Sequence, residues 1–305
     1  MSEDKIRFGT ALRSPYDVAK AAAQIEDLGF DILSCGEHVT FHGDSANGIV
    51  SLSVAAGATE HINLMSSITL LPLYPPALLA KMGAALDIAS GGRFILGVGV
   101  GGENPKEFEA CSVPVKQRGS RTDECLEILE RVWTNTDVSY EGRYTVLDNF
   151  SLKPLPLQKP RPPIWVSGRK EVAMRRAARY GDGWLPYMYT PEQLADSIEK
   201  IKAYGAEIGR DLSDFQPGLF IFTNVNEDGK LALAQAAETL GKTYAQDFTQ
   251  LVGKYALAGN PDQVQARLNE YIEAGARTIL LSAACADENL DDNLSAIANH
   301  IVQIF

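Results

Sequence analysis

The strongest constraint in this chain of 305 residues is an alternation of short apolar runs with amphipathic helical patterns, repeated eight times. The apolar runs are continuous, which indicates a parallel sheet that is buried on both faces. Eight such units without a change of composition favour a closed barrel over an open doubly wound sheet, so we predict an α/β fold, a (β/α)8 TIM barrel. The predicted strands are Ile6–Leu12, Asp31–Cys35, Ile62–Leu71, Arg93–Val98, Ile164–Ser167, Trp184–Pro186, Leu219–Val225 and Thr278–Ala283.

One segment interrupts this rhythm. Residues 136–162 contain two tyrosines around Gly142 and then several prolines, which exclude a continuous helix. The segment lies between the fourth predicted helix, Arg121–Trp133, and the fifth strand, and we interpret it as an insertion. We therefore expect residues 1–305 to form a single domain that carries this insertion. The other predicted helices are Tyr16–Leu28, Ile49–Thr59, Pro76–Ile88, Glu171–Tyr180, Pro191–Ile208, Leu231–Val252, Pro261–Ala274 and Leu290–Ile304.

Composition narrows the range of partners. The chain has 28 Lys and Arg against 39 Asp and Glu, a formal net charge of −11, which disfavours nucleic acids and anionic membranes. Its start lacks the apolar core of a secretion signal, and no apolar stretch is long enough to span a bilayer. The 4 cysteines are widely spaced, as in a reducing compartment. We expect a cytoplasmic protein that acts on a small molecule.

In a barrel of this type the chemistry lies at the carboxyl ends of the strands. The second strand ends in Cys35-Gly36-Glu37-His38, and His42 follows four residues later. His38 fits a general acid or base, because histidine titrates near neutrality and the adjacent Glu37 could orient it. Two alternatives remain open at this level: a histidine of a surface loop, and a metal site, although the helical H-E-x-x-H pattern is absent.

The fourth strand continues into a glycine-rich segment, GVGVGG, over residues 97–102. Without Cβ atoms, the backbone around Gly99, Val100 and Gly101 could let a flat cofactor approach closely. The segment also matches G-x-G-x-x-G, and Asp123 and Glu124 follow at about the distance of a dinucleotide site. This alternative is weakened by the prolines that follow the glycines, where a dinucleotide fold would begin a regular helix.

The fifth and sixth strands end in further candidate positions. Ser167-Gly168-Arg169-Lys170 leads directly into a helix, and exposed N–H groups at a helix start beside two cations suit a phosphate. The alternative is that Ser167 and Gly168 only cap the helix. Beyond the sixth strand, Tyr187 and Tyr189 could line a substrate pocket or pack the lip of the barrel.

Four motifs in the right order extend this interpretation: RFILGVGVGG, PPIWVSG, AARYGDGW, and LAGNPDQVQARL followed by EAGA. Together they resemble the bacterial luciferase-like family of flavin and deazaflavin oxidoreductases. The segments LDIASGGRFILGVGVGG, CSVPVKQRGSRTDECLEILERVW and YEGRY are most similar to the branch described as probable coenzyme F420-dependent oxidoreductases.

The resemblance implies several site assignments. It implies a non-prolyl cis peptide after the third strand, matching Ser67-Ile68, so that Ser66, Ser67 and Ile68 back the cofactor ring. It implies that the cofactor phosphate lies on Ser167, Gly168 and Arg169. In sugar-phosphate dehydrogenases of the family, the histidine at the position of His38 exchanges a proton with the substrate. Those enzymes carry glutamate where this chain has Gly102, which argues against a sugar phosphate as substrate.

The resemblance also implies a function. We expect an oxidoreductase that uses F420 for hydride transfer to or from a small organic substrate, with Met65, Tyr187 and Tyr189 forming a partly apolar pocket. The alternatives are a luciferase-like monooxygenase that uses FMN and O₂, a non-catalytic flavin-binding protein, and a nicotinamide dehydrogenase. Relatives are often dimers, so a homodimer is possible. Cations expected near the acidic F420 tail are Lys116, Arg118, Arg121, Arg169 and Lys170.

Overall fold

Eight parallel strands close into a barrel in the structure, a computed structural model that describes residues 5–305. The strands of the chain are β1 Arg7–Ala11, β2 Ile32–Cys35, β3 Asn63–Ser66, β4 Thr69–Leu70, β5 Phe94–Gly99, β6 Val138–Glu141, β7 Val146–Phe150, β8 Ile164–Ser167, β9 Gly183–Leu185, β10 Gln216–Val225, β11 Ala256–Gly259 and β12 Thr278–Ala283. The barrel order is β1, β2, β3, β5, β8, β9, β10 and β12, and β12 pairs with β1 to close it. The predicted TIM barrel is confirmed.

Helices on the outside connect these strands. They are α1 Val18–Asp27, α2 Gly48–Ala58, α3 Pro76–Ala89, α4 Pro105–Ala110, α5 Arg118–Thr134, α6 Glu171–Tyr180, α7 Pro191–Glu207, α8 Gly229–Tyr244, α9 Val252–Tyr255, α10 Pro261–Glu273 and α11 Leu290–Ile297. Helices α7 and α10 each begin with a capping box and a proline in the first turn. Among residues 5–305, no helix combines the length and the hydrophobicity needed to cross a bilayer.

Three differences between the structure and the sequence prediction concern the strands and the longest predicted helix. The third predicted strand is divided into β3 and β4, because the chain bulges at residues 67–68. The predicted long helix Leu231–Val252 ends at Tyr244, where Ala245 takes a left-handed backbone conformation, with φ of 52°. The additional strand β11 pairs with the carboxyl-terminal half of β10 outside the barrel ring.

The predicted insertion between α5 and β8 contains an antiparallel hairpin formed by β6 and β7. Its turn is fixed to the barrel by Glu124 on α5, whose carboxylate accepts hydrogen bonds from the backbone N–H groups of Arg143, at 2.8 Å, and Tyr144, at 3.0 Å. The hairpin is therefore attached to the outer helical layer through a buried acid.

The barrel interior is filled at mid-height by one side chain from each of seven strands. These form one contact cluster: Ile32, Met65, Ile95, Trp165, Leu185, Phe220 and Leu280. The remaining strand, β1, contributes Gly9, because a Cβ there would lie 2.5 Å from the Leu280 side chain. This packed layer closes the barrel interior below the mouth.

The next interior positions, two residues closer to the carboxyl ends, are mostly small, since alternate side chains of a strand face the same side. They are Ala11, Ser34, Ser67, Gly97, Ser167, Tyr187, Phe222 and Ser282. Six of these eight residues are Ala, Ser or Gly, so this layer consists mainly of small residues. The two aromatic residues lie on one side of it.

Candidate active site

His38 lies at the mouth after β2, and a buried acid from another strand connection holds it. Its Nδ1 lies 3.0 Å from Oε1 of Glu107 on α4, and its ring stacks on Phe41 with centroids 4.2 Å apart and planes at 16°. The side chain of His38 is 29% exposed, whereas that of Glu107 is 1% exposed. His38 is therefore fixed along one edge and one face and remains accessible.

Glu37 does not have the orienting role expected from the sequence. Its carboxylate accepts hydrogen bonds from the Leu70 N–H at 2.9 Å, the Tyr74 hydroxyl at 2.9 Å and the Gly48 N–H at 3.3 Å. Burial raises the pKa of Glu37, although these hydrogen bonds act in the opposite direction. This correction has a geometric reason: neighbouring residues of an extended chain point to opposite sides, so Glu37 fixes loops while His38 faces the mouth.

The segment after β3 contains the predicted cis peptide bond between Ser67 and Ile68. Ser67 and Ile68 are partly exposed. Ser66 is fully buried, and its Oγ exchanges hydrogen bonds with the backbone O and N–H of Gly97, at 2.8 and 2.9 Å. Ser66 therefore fixes the bulge against β5 from behind and presents no atom to the mouth.

The glycines of β5 make room for this bulge, which corrects their expected role. A Cβ at Gly97 would lie 1.9 Å from the backbone O of Ser66, and one at Gly99 would lie 1.8 Å from Cδ1 of Ile68. Gly99 is buried beneath Ile68, so its close approach is to the protein itself. Val100, which follows, is partly exposed at the mouth.

Beyond β5 the chain turns through Gly101 and Gly102, both with positive φ, of 57° and 103°. A Cβ at Gly101 would lie 2.9 Å from the Leu70 side chain, and one at Gly102 would lie 2.9 Å from Nε of Arg118. The Arg118 guanidinium therefore lies over the β5 loop, at the rim of the mouth.

The loop from β8 to α6 offers a row of free backbone donors. Within residues 5–305, the N–H groups of residues 168–172 donate to no protein acceptor, and no side chain caps α6. The carbonyl groups of Gly168 and Arg169 are fixed by Trp184 Nε1 at 2.9 Å and by the Tyr189 hydroxyl at 3.0 Å. Arg169 and Lys170 are exposed, and no carboxylate of the described chain lies within salt-bridge distance of either. This loop can bind an anion.

One side of the mouth is an aromatic wall that consists of Tyr187, Phe222, Tyr244 and, at its base, Phe220, which belongs to the core layer but is partly exposed. Phe222 packs edge-on against Phe220 at 5.4 Å and against Tyr244 at 6.1 Å. The Tyr187 hydroxyl donates to Oε1 of Glu103 at 2.7 Å, and the Arg169 guanidinium lies 4.8 Å from its ring centroid. Burial, followed by the Glu103 hydrogen bond, raises the pKa of Tyr187 to about 12, so its hydroxyl stays protonated at neutral pH.

Two residues expected in the substrate pocket lie elsewhere. Met65 is fully buried in the barrel core, because its side chain belongs to the core layer, two residues before the position at which its strand reaches the mouth. Tyr189 is 6% exposed, packs against Trp184 at 5.5 Å and supports the Arg169 carbonyl from below. Tyr187 alone of the three predicted residues faces the mouth.

Sequence reasoning missed Glu107 and the three other members of the aromatic wall. Asn104-Pro105 is a helix-start signature, and it would have predicted the short α4 that carries Glu107. The spacing of Phe220 and Phe222 within a strand indicates one shared face. Tyr244 gave no comparable signal, since it follows an ordinary amphipathic pattern on α8.

The acids of the dinucleotide alternative have other partners. Asp123 pairs with Arg176 at 2.7 Å, and Glu124 fixes the hairpin turn. His42 is exposed and packs beside Phe41. Throughout residues 5–305, no group of three or more His, Cys, Asp or Glu is arranged to hold a metal ion.

Curated sequences provide two informative comparisons. An uncharacterized protein of Mycobacterium tuberculosis is 35% identical over 160 residues, which cover 52% of this chain and 54% of that protein, so the match spans about half the length of the relative. The FMNH2-dependent dimethylsulfone monooxygenase of Pseudomonas putida is 29% identical over 232 residues, covering 73% of this chain and 63% of the enzyme.

Solved structures share the fold over nearly the full length. The monooxygenase RslO1 from Streptomyces bottropensis superposes with a TM-score of 0.87 at 24% identity, covering 98% of this chain and 99% of that one. An F420-dependent secondary alcohol dehydrogenase in complex with an F420–acetone adduct superposes with a TM-score of 0.83 at 21% identity, covering 99% of each chain. The family model for luciferase-like monooxygenases matches residues 5–278. The chain belongs to the luciferase-like monooxygenase family.

Proposed function

We propose that this chain is an oxidoreductase that binds the deazaflavin F420 at the barrel mouth and transfers hydride to or from a small organic substrate. The observation that carries the proposal is the row of unpaired N–H groups over residues 168–172, flanked by Arg169 and Lys170. Unpaired donors at a helix start and two unpaired cations form a phosphate site, and they lie at the same mouth as His38.

The residues at the mouth fit a phosphate-bearing tricyclic cofactor. Ser167, Gly168, Arg169 and Lys170 would hold the phosphate, and Ser67 and Ile68 would back the ring. The Oγ of Ser67 is buried without a hydrogen-bond partner in the described chain, so a donor and acceptor is available beside the ring position. When bound, the deazaflavin supplies a carbon centre that gives or accepts hydride.

The rim cations support F420 in particular, since its tail is acidic. Within residues 5–305, Lys116, Arg118 and Arg121 have no carboxylate within salt-bridge distance, although the chain carries an excess of acids. Arg118 is the first residue of α5 and lies over the β5 loop, and Arg121 follows one turn later. Together with Arg169 and Lys170, they give a locally positive rim on an acidic protein.

In this proposal His38 moves the proton that accompanies hydride transfer. Nδ1 lies beside Glu107, and Nε2 has no hydrogen-bond partner among the described residues, so Nε2 is the atom that exchanges a proton with the substrate. The aromatic wall would contact the rest of the substrate. A wall of four aromatic rings favours a small substrate with an apolar body.

A luciferase-like monooxygenase that uses FMN and O₂ is the second candidate. The observation that favours it is the similarity to the FMNH2-dependent dimethylsulfone monooxygenase over 73% of this chain. The same phosphate loop would serve FMN, whereas the positive rim would have no acidic tail to bind.

The deciding experiment compares two reactions with the purified protein. F420 is mixed with a panel of secondary alcohols and ketones, and loss or gain of absorbance near 420 nm is followed; reduced FMN is mixed with the same panel and O₂ uptake is followed. We expect a substrate-dependent change of F420 absorbance that His38→Ala slows by about 10²–10⁴-fold. Substrate-dependent O₂ uptake with FMN alone supports the second candidate. Binding without turnover in either assay indicates a non-catalytic flavin-binding protein.

A further inference from the structure

The carboxylate of Glu107 has an unusual set of contacts for a buried acid. Its Oε1 accepts hydrogen bonds from the N–H groups of Val39 at 2.8 Å and Thr40 at 3.3 Å, and lies 3.0 Å from Nδ1 of His38. Its Oε2 is buried and has no hydrogen-bond partner in the described chain. Within residues 5–305, His38 is also its only basic partner within 4 Å.

These contacts determine which nitrogen of His38 carries the proton. Two backbone N–H groups donate to Oε1, so Oε1 acts as an acceptor and carries no proton itself. An oxygen in that role can only accept a hydrogen bond from the ring, so Nδ1 must be the donor. In the neutral His38 ring, Nδ1 then carries the proton and Nε2 carries the lone pair. Histidine in water favours the opposite tautomer, with the proton on Nε2. Stacking on Phe41 fixes the plane of the ring.

The charge of Glu107 has a second consequence. A buried carboxylate without a Lys or Arg partner interacts strongly with any positive charge beside it, because the surroundings screen the charge weakly. When His38 takes a proton on Nε2, the ring becomes an imidazolium cation directly beside this carboxylate. The pair is arranged like the acid and histidine of a hydrolase triad, although it lies on an unrelated site.

We propose that Glu107 is the positioning residue of His38: it fixes the tautomer with the proton on Nδ1 and stabilises the ring when Nε2 is protonated. The tautomer part follows from the geometry alone, whereas the rate part rests on the proposed function. A purely structural role, in which Glu107 only attaches residues 39–40 to α4, makes different predictions for the two variants below.

The first test needs neither cofactor nor substrate. The chain has only 4 histidines, so two-bond ¹H–¹⁵N correlation spectra of ¹⁵N-histidine-labelled protein resolve each ring, and His38→Asn assigns the signal. We expect His38 of the wild type to show the Nδ1–H tautomer. Glu107→Met, which removes the acceptor, should shift His38 to the Nε2–H form. Glu109→Gln, the same loss of charge at an exposed position of α4, should leave the spectrum unchanged.

The second test separates charge from attachment. Glu107→Gln retains an oxygen that can accept from Val39 and Thr40 but carries no charge. We expect kcat to fall about 10-fold or more, with KM and cofactor Kd within a few-fold, and Glu109→Gln to remain within two-fold of wild type. The proposal is overturned by an Nε2–H tautomer in the wild type, by an unchanged His38 spectrum in Glu107→Met, or by full kcat in folded Glu107→Gln. If the wild type shows no turnover, the proposed function fails, and the spectra still decide the tautomer.

Discussion

Alanine at Gly99 tests whether the β5 glycines make room for the bulge after β3. The new Cβ would lie 1.8 Å from Cδ1 of Ile68, and ordinary contact begins at 3.4 Å. Since this atom is the far end of a partly exposed side chain, Ile68 can rotate outward into the proposed ring position. We expect Gly99→Ala to lower the free energy of unfolding by about 1–3 kcal/mol, the usual cost of overpacking, and to weaken cofactor binding.

Alanine at two other glycines provides a reference for the stability cost at Gly99. At Gly97 the Cβ would lie 1.9 Å from a backbone oxygen, which cannot rotate away, so Gly97→Ala should cost more than Gly99→Ala. At Gly57 on α2, nothing lies within 4 Å of the Cβ, so Gly57→Ala should increase stability by about 0.5–1 kcal/mol.

Urea denaturation of the four single variants and of Ile68→Ala/Gly99→Ala measures the coupling. Because truncated Ile68 leaves space for the new Cβ, the double variant should be more stable than the sum of its single changes predicts, by about 0.5–3 kcal/mol. Strictly additive losses, or a Gly99→Ala protein as stable as the Gly57→Ala protein, would refute the assignment of Gly99 to the bulge.

Three further predictions concern single side chains of the site. Arg169→Ala should weaken cofactor binding by about 1.5–3 kcal/mol in a fluorescence titration, whereas Arg179→Ala, at the other end of α6, should not. Equal affinities of the two variants would show that residues 167–170 only cap the helix. His38→Ala should lower kcat by about 10²–10⁴-fold and leave the cofactor affinity within a few-fold of wild type, whereas His42→Ala should change kcat little. Near-full turnover of His38→Ala would show that His38 takes no part in the mechanism. Burial raises the pKa of Glu37 above its ordinary value of 4.5, so protonation of Glu37 favours the folded state. The free energy of unfolding of the wild type relative to Glu37→Gln should therefore fall as the pH rises from below 4.5 through the raised pKa. A constant or rising difference in urea denaturation would contradict the assigned environment.

The barrel was predictable because its main signal is local. Strands buried on both faces must be continuously apolar, and their carboxyl ends must meet at one mouth, so the positions of His38 and of the loop at residues 167–170 followed from the strand count. The strand β11 gave little signal, because ALAG is short and rich in small residues. The break after α8 was also hidden, since an alanine takes the left-handed conformation there.

The partners within the site depend on contacts that are distant in sequence. Glu107 is 69 residues from His38 and lies on a helix of 6 residues, so no periodicity connects the two. Adjacency in sequence pointed instead to Glu37, whose side chain leaves the chain on the opposite side. Met65 shows the same difficulty, because the register of a strand decides whether an apolar residue reaches the mouth or the core.

Equilibrium binding of F420 and of FMN to the purified protein, followed by cofactor fluorescence, decides which cofactor the barrel mouth takes. We expect F420 to bind with quenching of its fluorescence and at least about tenfold, or 1.4 kcal/mol, more tightly than FMN, because only its acidic tail engages the rim cations. We also expect Arg118→Ala to weaken F420 binding more than FMN binding. Tighter binding of FMN, or no binding of either cofactor, would contradict the F420 assignment.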